Sequence, residues 1–355
     1  MDFIISIRRK YRVKKLLLAL VISLVANPTI ATITTTTPAV AVNDKEYSIE
    51  NAVEIYPTTI DAKDGTLIMS NSPETVKDIG LLYADEFEGK GRILYHHVNE
   101  TGSKSRKLII LAENIADQSV SLNIGKKGIS DYSYNFLKVG EDVLDGYFRS
   151  DNDKTISIAP HEKYIIYESP KTEWPISTVL SGMMDIQSSG RLRISFAMLD
   201  VNDDYYNHGN LKKLDRDFAP RGTYKCLTRH QFVILPENDD AYYKIEQKKD
   251  EWVKGYDAVR QEDTVNFGNY GIMYKITLVA KSNAHIYICP RGGIFQGKVS
   301  WEKGGIETIK RSHSFKTIKE AIKVGEIANG EIKTLYYCLP NGSAAPILIG
   351  VDDLP

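Results

Sequence analysis

The sequence predicts an all-β protein of two β-sandwich domains, Ig-like or jelly-roll-like, with short helices only. Three observations carry that expectation. Short runs alternate apolar and polar side chains with a period of two, the spacing of a strand with one buried face. Gly, Asn, Asp and Pro clusters punctuate those runs at close intervals. No long stretch keeps a 3.6-residue apolar period, which argues against helices alternating with a parallel sheet.

The elements follow in order. Arg8, Arg9, Lys10, Arg12, Lys14 and Lys15 precede an apolar run from Leu16 to Ala26, and small residues follow. This is the order of a secretory signal peptide over residues 1–31. The run of 11 residues falls short of the ~20 that a membrane-spanning helix needs. Thr29-Ile30-Ala31 and Ala39-Val40-Ala41 both offer small residues for cleavage, and the cut after Ala31 lies closer to the apolar run. Residues 32–47, with the run Thr34 to Thr37, form a flexible Thr- and Pro-rich leader.

Residues 48–172 make the first expected sandwich. Lys107 to Ala112 and Val120, Leu122, Ile124 read as two strands joined through Asn114 to Gln118 as a hairpin. Ile156 and Ile158 lead through Pro160 to Lys163 into Tyr164 to Tyr167, a second strand-turn-strand. Between them Tyr134 to Phe148 is interrupted by Gly140 and Gly146, which allows at most a short helix. Pro170 to Pro175 marks the domain boundary.

Residues 173–355 make the second sandwich. Gly182 to Ile186, the turn Ser188-Ser189-Gly190, and Leu192, Ile194, Phe196 and Met198 form the clearest hairpin pattern, with Arg191, Arg193 and Ser195 on its wetter face. Asp203 to Asp263 is more polar and holds long loops or an inserted hairpin. Further strands follow at Tyr274 to Leu278, Ile286 to Cys289, Val299 to Trp301, Ile332 to Cys338 and Pro346 to Val351.

Charge and cysteine bound the function. Without residues 1–31, which carry six basic and one acidic residue, the net charge is −6 with His neutral. A mildly acidic surface offers no drive toward nucleic acid or anionic lipid. Cys226, Cys289 and Cys338 are odd in number, so at least one is free or pairs between chains. Cys289 and Cys338 sit where neighbouring strands could bring them together, and the alternative is small buried hydrophobes.

The candidate sites are few. Asp200, Asn202 and Asp204 have the spacing that opens a calcium loop, but Tyr205-Tyr206 replaces the required glycine and Leu211 stands where the closing Glu belongs. Turn-forming Asx side chains account for them better than a calcium loop does. His96-His97 on one strand would point to opposite faces and could not share one ion. No nucleophile elbow, zinc-protease, Cys-His or phosphate-loop pattern occurs. Tyrosine is abundant at 21 residues, with doublets at Tyr205-Tyr206, Tyr242-Tyr243 and Tyr336-Tyr337; such rings stack on sugars, anchor protein partners or simply form strands.

Several stretches resemble a known group. Gly268-Asn269-Tyr270-Gly271-Ile272-Met273-Tyr274-Lys275-Ile276, then Cys289-Pro290-Arg291-Gly292-Gly293-Ile294-Phe295-Gln296-Gly297 and Trp301, resemble secreted bacterial proteins labelled copper amine oxidase N-terminal, or stalk, domain-containing. Arg221-Gly222-Thr223-Tyr224 and Lys107 to Asn114 fit the same group. The stalk domain itself is not found here. Catalytic copper amine oxidases convert a Tyr followed by an acidic residue and bind copper with three histidines; here Asn269-Tyr270 precedes Gly271 and no such triad is evident. The resemblance therefore implies an extracellular β-rich protein, from a Gram-positive source, without oxidase chemistry.

The expected function is a secreted or envelope-associated, non-enzymatic module that binds a cell-wall glycan or surface protein. It would be released or held non-covalently, with no integral membrane segment after signal cleavage, no nucleic-acid partner and no cofactor. No catalytic residue is assigned; Arg221, Arg291 and Trp301 are the partner-surface candidates. The alternatives are a wall-polysaccharide hydrolase using a carboxylate pair and a calcium-stabilised structural module.

Overall fold

The computed structural model describes residues 32–34, 49–170, 173–203, 211–237, 239–246, 251–311 and 317–353. They belong to one compact unit, Thr32–Pro355. Residues 1–31, expected to be a signal peptide, most of the expected leader at 32–47, and Asp204 lie outside the described residues. The protein is all-β, with mixed sheets of eleven, seven and five strands and a single α-helix among the described residues.

The eleven-stranded sheet is organised by two long antiparallel strands, Gly80–Asn99 and Val179–Asp200, paired from Val179 opposite Val98 to Met198 opposite Gly80. The expected hairpin around Ser188-Ser189-Gly190 is therefore one continuous strand. Its register slips between Ser188 and Leu192, and Gly89, opposite Ser188, stands at that slip on the partner, so the pair bends instead of reversing. The alternation still holds: Leu192, Ile194, Phe196 and Met198 are buried while Arg191 and Arg193 are exposed.

Because of the bend, the sheet folds over its own core. Val120–Ile129 pairs with the first half of Val179–Asp200 and Arg106–Asn114 with the second half. Lys154–Ile158 then pairs with Val120–Ile129, and Lys163–Glu168 with Arg106–Asn114. Neither expected strand-turn-strand unit is a hairpin; each turn carries the chain across the sandwich. Asn114 fixes both corners, its side-chain amide donating to the carbonyls of Gln118, Ile158 and Ala159. Leu108, Ile110, Leu122, Ile186, Leu192, Ile194 and Phe196 meet in the core so enclosed.

The second sandwich packs the seven-stranded sheet on the five-stranded one, with Ile276, Leu278 and Leu335 facing Ile286, Ile288 and Ile349. Its sheets draw in the start of the described chain. Val53–Glu54 pairs with Ala241–Ile245, and Thr58–Asp61 pairs with Thr228–Ile234. The next strand, Thr66–Ser70, runs parallel to Gly80–Asn99 in the eleven-stranded sheet, which continues into Gly222–Tyr224, Lys254–Asp257 and Glu262–Val265. A division at 172/173 passes between strands of one sheet, since Val179–Asp200 is the centre of the first sandwich.

Between the two cores lies a third apolar layer holding helix α1 (Phe136–Arg149). The helix spans 14 residues and runs through both glycines read as breaks. They mark close packing instead. A Cβ on Gly140 would stand 2.0 Å from the Asn341 carbonyl oxygen, and one on Gly128 only 1.8 Å from the Val143 carbonyl oxygen. Asn135 caps the helix by accepting from the Lys138 N–H at 3.1 Å. Thr66–Ser70 is buried on both faces because Ile68 points into the first core while Leu67 and Met69 point into the helix layer.

Candidate functional site

A cleft of about 600 Å³ opens at the waist of the long strand pair. Three separate segments build it. Lys63, Asp64 and Gly65 lead into Thr66, the first residue of its strand; Glu88 and Lys90 flank the bend in Gly80–Asn99; Lys225 follows Gly222–Tyr224. The floor is fixed by Gly65, whose φ of +154° and would-be Cβ, 2.7 Å from the Lys90 carbonyl oxygen, admit no side chain. Asp64 pins the Lys225 segment by accepting the N–H groups of Leu227 at 3.0 Å and Thr228 at 3.2 Å. Lys225 Nζ donates to Thr66 Oγ1 at 3.1 Å.

Lys63, Lys90 and Lys225 are all exposed. Among the described residues, none of the three forms an ion pair. Among the described residues the cleft holds no imidazole or thiol, and its hydroxyl, on Thr66, is buried and accepts from Lys225, so its chemistry is charge and hydrogen bonding. Three ammonium groups stand ready for an acceptor-rich ligand.

Groups that look reactive are sealed. Ser70 Oγ lies 3.0 Å from His97 Nε2, and His97 Nδ1 lies 2.8 Å from the Pro73 carbonyl. That is the form of a nucleophile, a base and an orienting group, but Ser70 and His97 are both 0 % exposed. Burial pushes the His97 pKa down to about 4 and, with His97 adding to it, that of His96 down to about 3. The two rings occupy opposite faces, His96 lying against Phe136 of α1. Burial likewise pushes the Cys226 and Cys338 thiols up to about 12. All three cysteines are buried and none is in a disulfide, so Cys289 and Cys338 are not bridged.

Glu246 is 2 % exposed at a φ of +62°. No hydrogen bond reaches either carboxyl oxygen among the described residues. Burial raises its pKa well above the ordinary carboxylate value, against the pull of Tyr274 and Arg229. The nearest thing to an acid pair is Glu74 beside Asp217. Burial raises Glu74 and the Asp217 charge raises it further. Asp217, however, is a loop staple: its carboxylate accepts from Ser72 Oγ at 2.7 Å, Glu74 N–H at 2.8 Å and Ala219 N–H at 3.0 Å.

The sequence-predicted residues do not converge. Arg221 is 0 % exposed and pairs with equally buried Asp257 at 3.0 Å, while donating to the carbonyls of Ser72, Leu82 and Leu214. It is a clamp between segments, not a partner surface, because a desolvated guanidinium must be fully engaged to be tolerated. Arg291 is half-buried, its backbone N–H bonded to the Pro346 carbonyl. Trp301 is half-buried against the second core and donates its indole N–H to the Val324 carbonyl at 2.8 Å.

Asp200 accepts from Arg106 at 2.9 Å and from the Asn202 N–H at 3.2 Å, so its carboxylate is held within its own turn. Of the tyrosine doublets, Tyr242, Tyr243 and Tyr337 are core residues, and Tyr336 is half-buried with its hydroxyl on Glu302 at 2.8 Å. Tyr205-Tyr206 lies outside the described residues.

The cleft lysines were not singled out in the sequence. The Asp64-Gly65 pair is a turn signal, but nothing in the chain announces that residues 63, 90 and 225 meet. No protein-family model and no curated protein sequence matches this chain.

Proposed function

We propose that the protein is an exported, non-enzymatic module that binds a cell-surface glycan in the cleft at its waist. The observation that carries this reading is the convergence of Lys63, Lys90 and Lys225 from three chain segments on one open cleft. The sealing of Ser70–His97 and the engagement of Asp217 favour binding over hydrolysis. The basic leader with its short apolar run favours export, as does the resemblance to secreted stalk-domain-labelled proteins. On that reading this contact holds the protein at the envelope.

Sedimentation of the purified protein with isolated cell-wall material tests the proposal. Saturable retention is expected, and Glu88→Trp, which narrows the cleft with every lysine intact, is expected to abolish it. Retention lost when the walls are first treated with protease would point to a surface protein as the partner. Absence of retention on every envelope fraction would refute the reading.

A further inference from the structure

We infer that the ligand of the cleft is a polyanionic glycan, a hydroxyl-rich chain bearing phosphate or carboxylate groups held by Lys63, Lys90 and Lys225; this rests on the glycan-binding reading above. Lys63 and Lys90 have no carboxylate within salt-bridge distance among the described residues, and Lys225 spends one donor on Thr66. Three exposed ammonium groups therefore face a shared space with most of their hydrogen-bonding capacity unused.

The two acids at the cleft are not equivalent to a neutralising pair. Asp64 holds the backbone N–H groups of Leu227 and Thr228 on its Oδ1 and, among the described residues, forms no ion pair with the three lysines, which outnumber the two acids. Glu88 is exposed on the rim and suits a sugar hydroxyl as its donor. Acceptors for hydroxyls beside donors for anions describe a charged carbohydrate better than a bare ion.

The lining also argues against the other common polyanion. No aromatic ring lines the cleft, whereas single-stranded nucleic acid is held chiefly by bases stacked on such rings. The rest of the protein opposes a densely charged strand, since the chain from residue 32 carries a net charge of −6. A polyanion gripped at one cationic cleft and repelled elsewhere must be engaged locally, one short segment at a time.

The test measures binding of the purified protein to four probes: a polyol-phosphate polymer, a uronic-acid polysaccharide, a neutral glucan and a single-stranded oligonucleotide. One or both anionic glycans are expected to bind, and their relative affinity identifies phosphate or carboxylate as the recognised group. If three anionic groups are neutralised, raising salt from about 50 to 200 mM should weaken binding about 20-fold, by analogy with flexible polyanions. Lys63→Gln, Lys90→Gln and Lys225→Gln should each weaken binding roughly fivefold and flatten the salt dependence in steps. Unchanged melting temperatures would show that the variants remain folded, as exposed positions allow.

Salt-independent binding of the neutral glucan at equal affinity would overturn the polyanion inference while leaving glycan binding intact. Equal or tighter binding of the oligonucleotide would overturn the assignment to a glycan. Lysine substitutions without effect on a binding ligand would remove the cleft from the account.

Discussion

The buried histidines make the stability of this protein steeply sensitive to mild acid, and His96 gives the cleanest test. In the native state its imidazole sits between the long strand pair and α1, with its pKa pushed down to about 3 by burial and by His97. In the unfolded chain it titrates near 6.5. Above 6.5 both states are neutral and nothing is lost. As pH falls below 6.5 the unfolded state takes up a proton that the native state refuses, so stability declines until the native pKa is reached.

Each pH unit in that window costs about 1.4 kcal/mol per histidine. Between pH 6.5 and 5 His96 alone therefore accounts for about 2 kcal/mol, and His97, pushed down to about 4, for a similar amount. Glu246 acts with the opposite sign, because its raised pKa keeps it protonated in the native state while the unfolded chain is ionised.

His96→Met isolates one contribution. His96 Nδ1 has no hydrogen-bond partner, and Met fills a similar volume against Phe136. Urea unfolding at pH 7.5 and pH 5 should show wild type losing about 2 kcal/mol more than the variant over that interval. Identical losses would refute the assignment of a buried, neutral His96.

Three further outcomes follow from the same packing. Arg221→Met or Asp257→Asn alone should destabilise by about 3 to 5 kcal/mol, read as a shift in the urea midpoint, and the double substitution should cost much less than the sum. Gly128→Ala should cost about 3 kcal/mol by driving α1 off its strand. Gly125→Ala three residues earlier, whose Cβ would make only ordinary 3.7 Å contacts, should stay within about 0.5 kcal/mol, and equal melting temperatures would contradict this account. Glu246→Gln should stabilise the protein at pH 8, with the gain disappearing as pH falls below 4.5, the sign expected for an acid held neutral in the fold.

What the sequence revealed and what it hid have separate physical causes. Alternation reports which face of a strand is buried, so the strands at 106–114, 120–129, 273–279 and 347–353 were legible. Alternation does not report a partner. Val120–Ile129 and Arg106–Asn114 look like a hairpin because only five residues separate them, yet both join Val179–Asp200 instead. Ser188-Ser189-Gly190 has turn composition, and the opposing Gly89 converts that freedom into a bend.

Glycine misled twice, at positions 140 and 146, because a residue that weakens an isolated helix also permits a helix to approach another backbone closely. Trp301, a partner-surface candidate in the sequence, lies half-buried against the second core, a packing that its position in the chain does not announce. Arg221 was misplaced because an arginine in a polar stretch says nothing about an acid 36 positions later. The cleft was invisible for the same reason on a larger scale: its three lysines come together only after the sheet is built.

The interleaving of early and late strands also governs how the chain acquires its structure. Val53–Glu54 pairs with Ala241–Ile245, whose opposite edge takes Ile347–Asp353. Val53–Glu54, an early strand, and Ile347–Asp353, the last strand of the described chain, are thus next-but-one neighbours in a single sheet. A chain emerging from its N-terminus cannot close the second sandwich until its final strand is present, and loop-closure entropy must be overcome over nearly the whole length before those contacts are rewarded. Such a protein should acquire its native form late and slowly, and loss of the last strand should undo the second core as a whole.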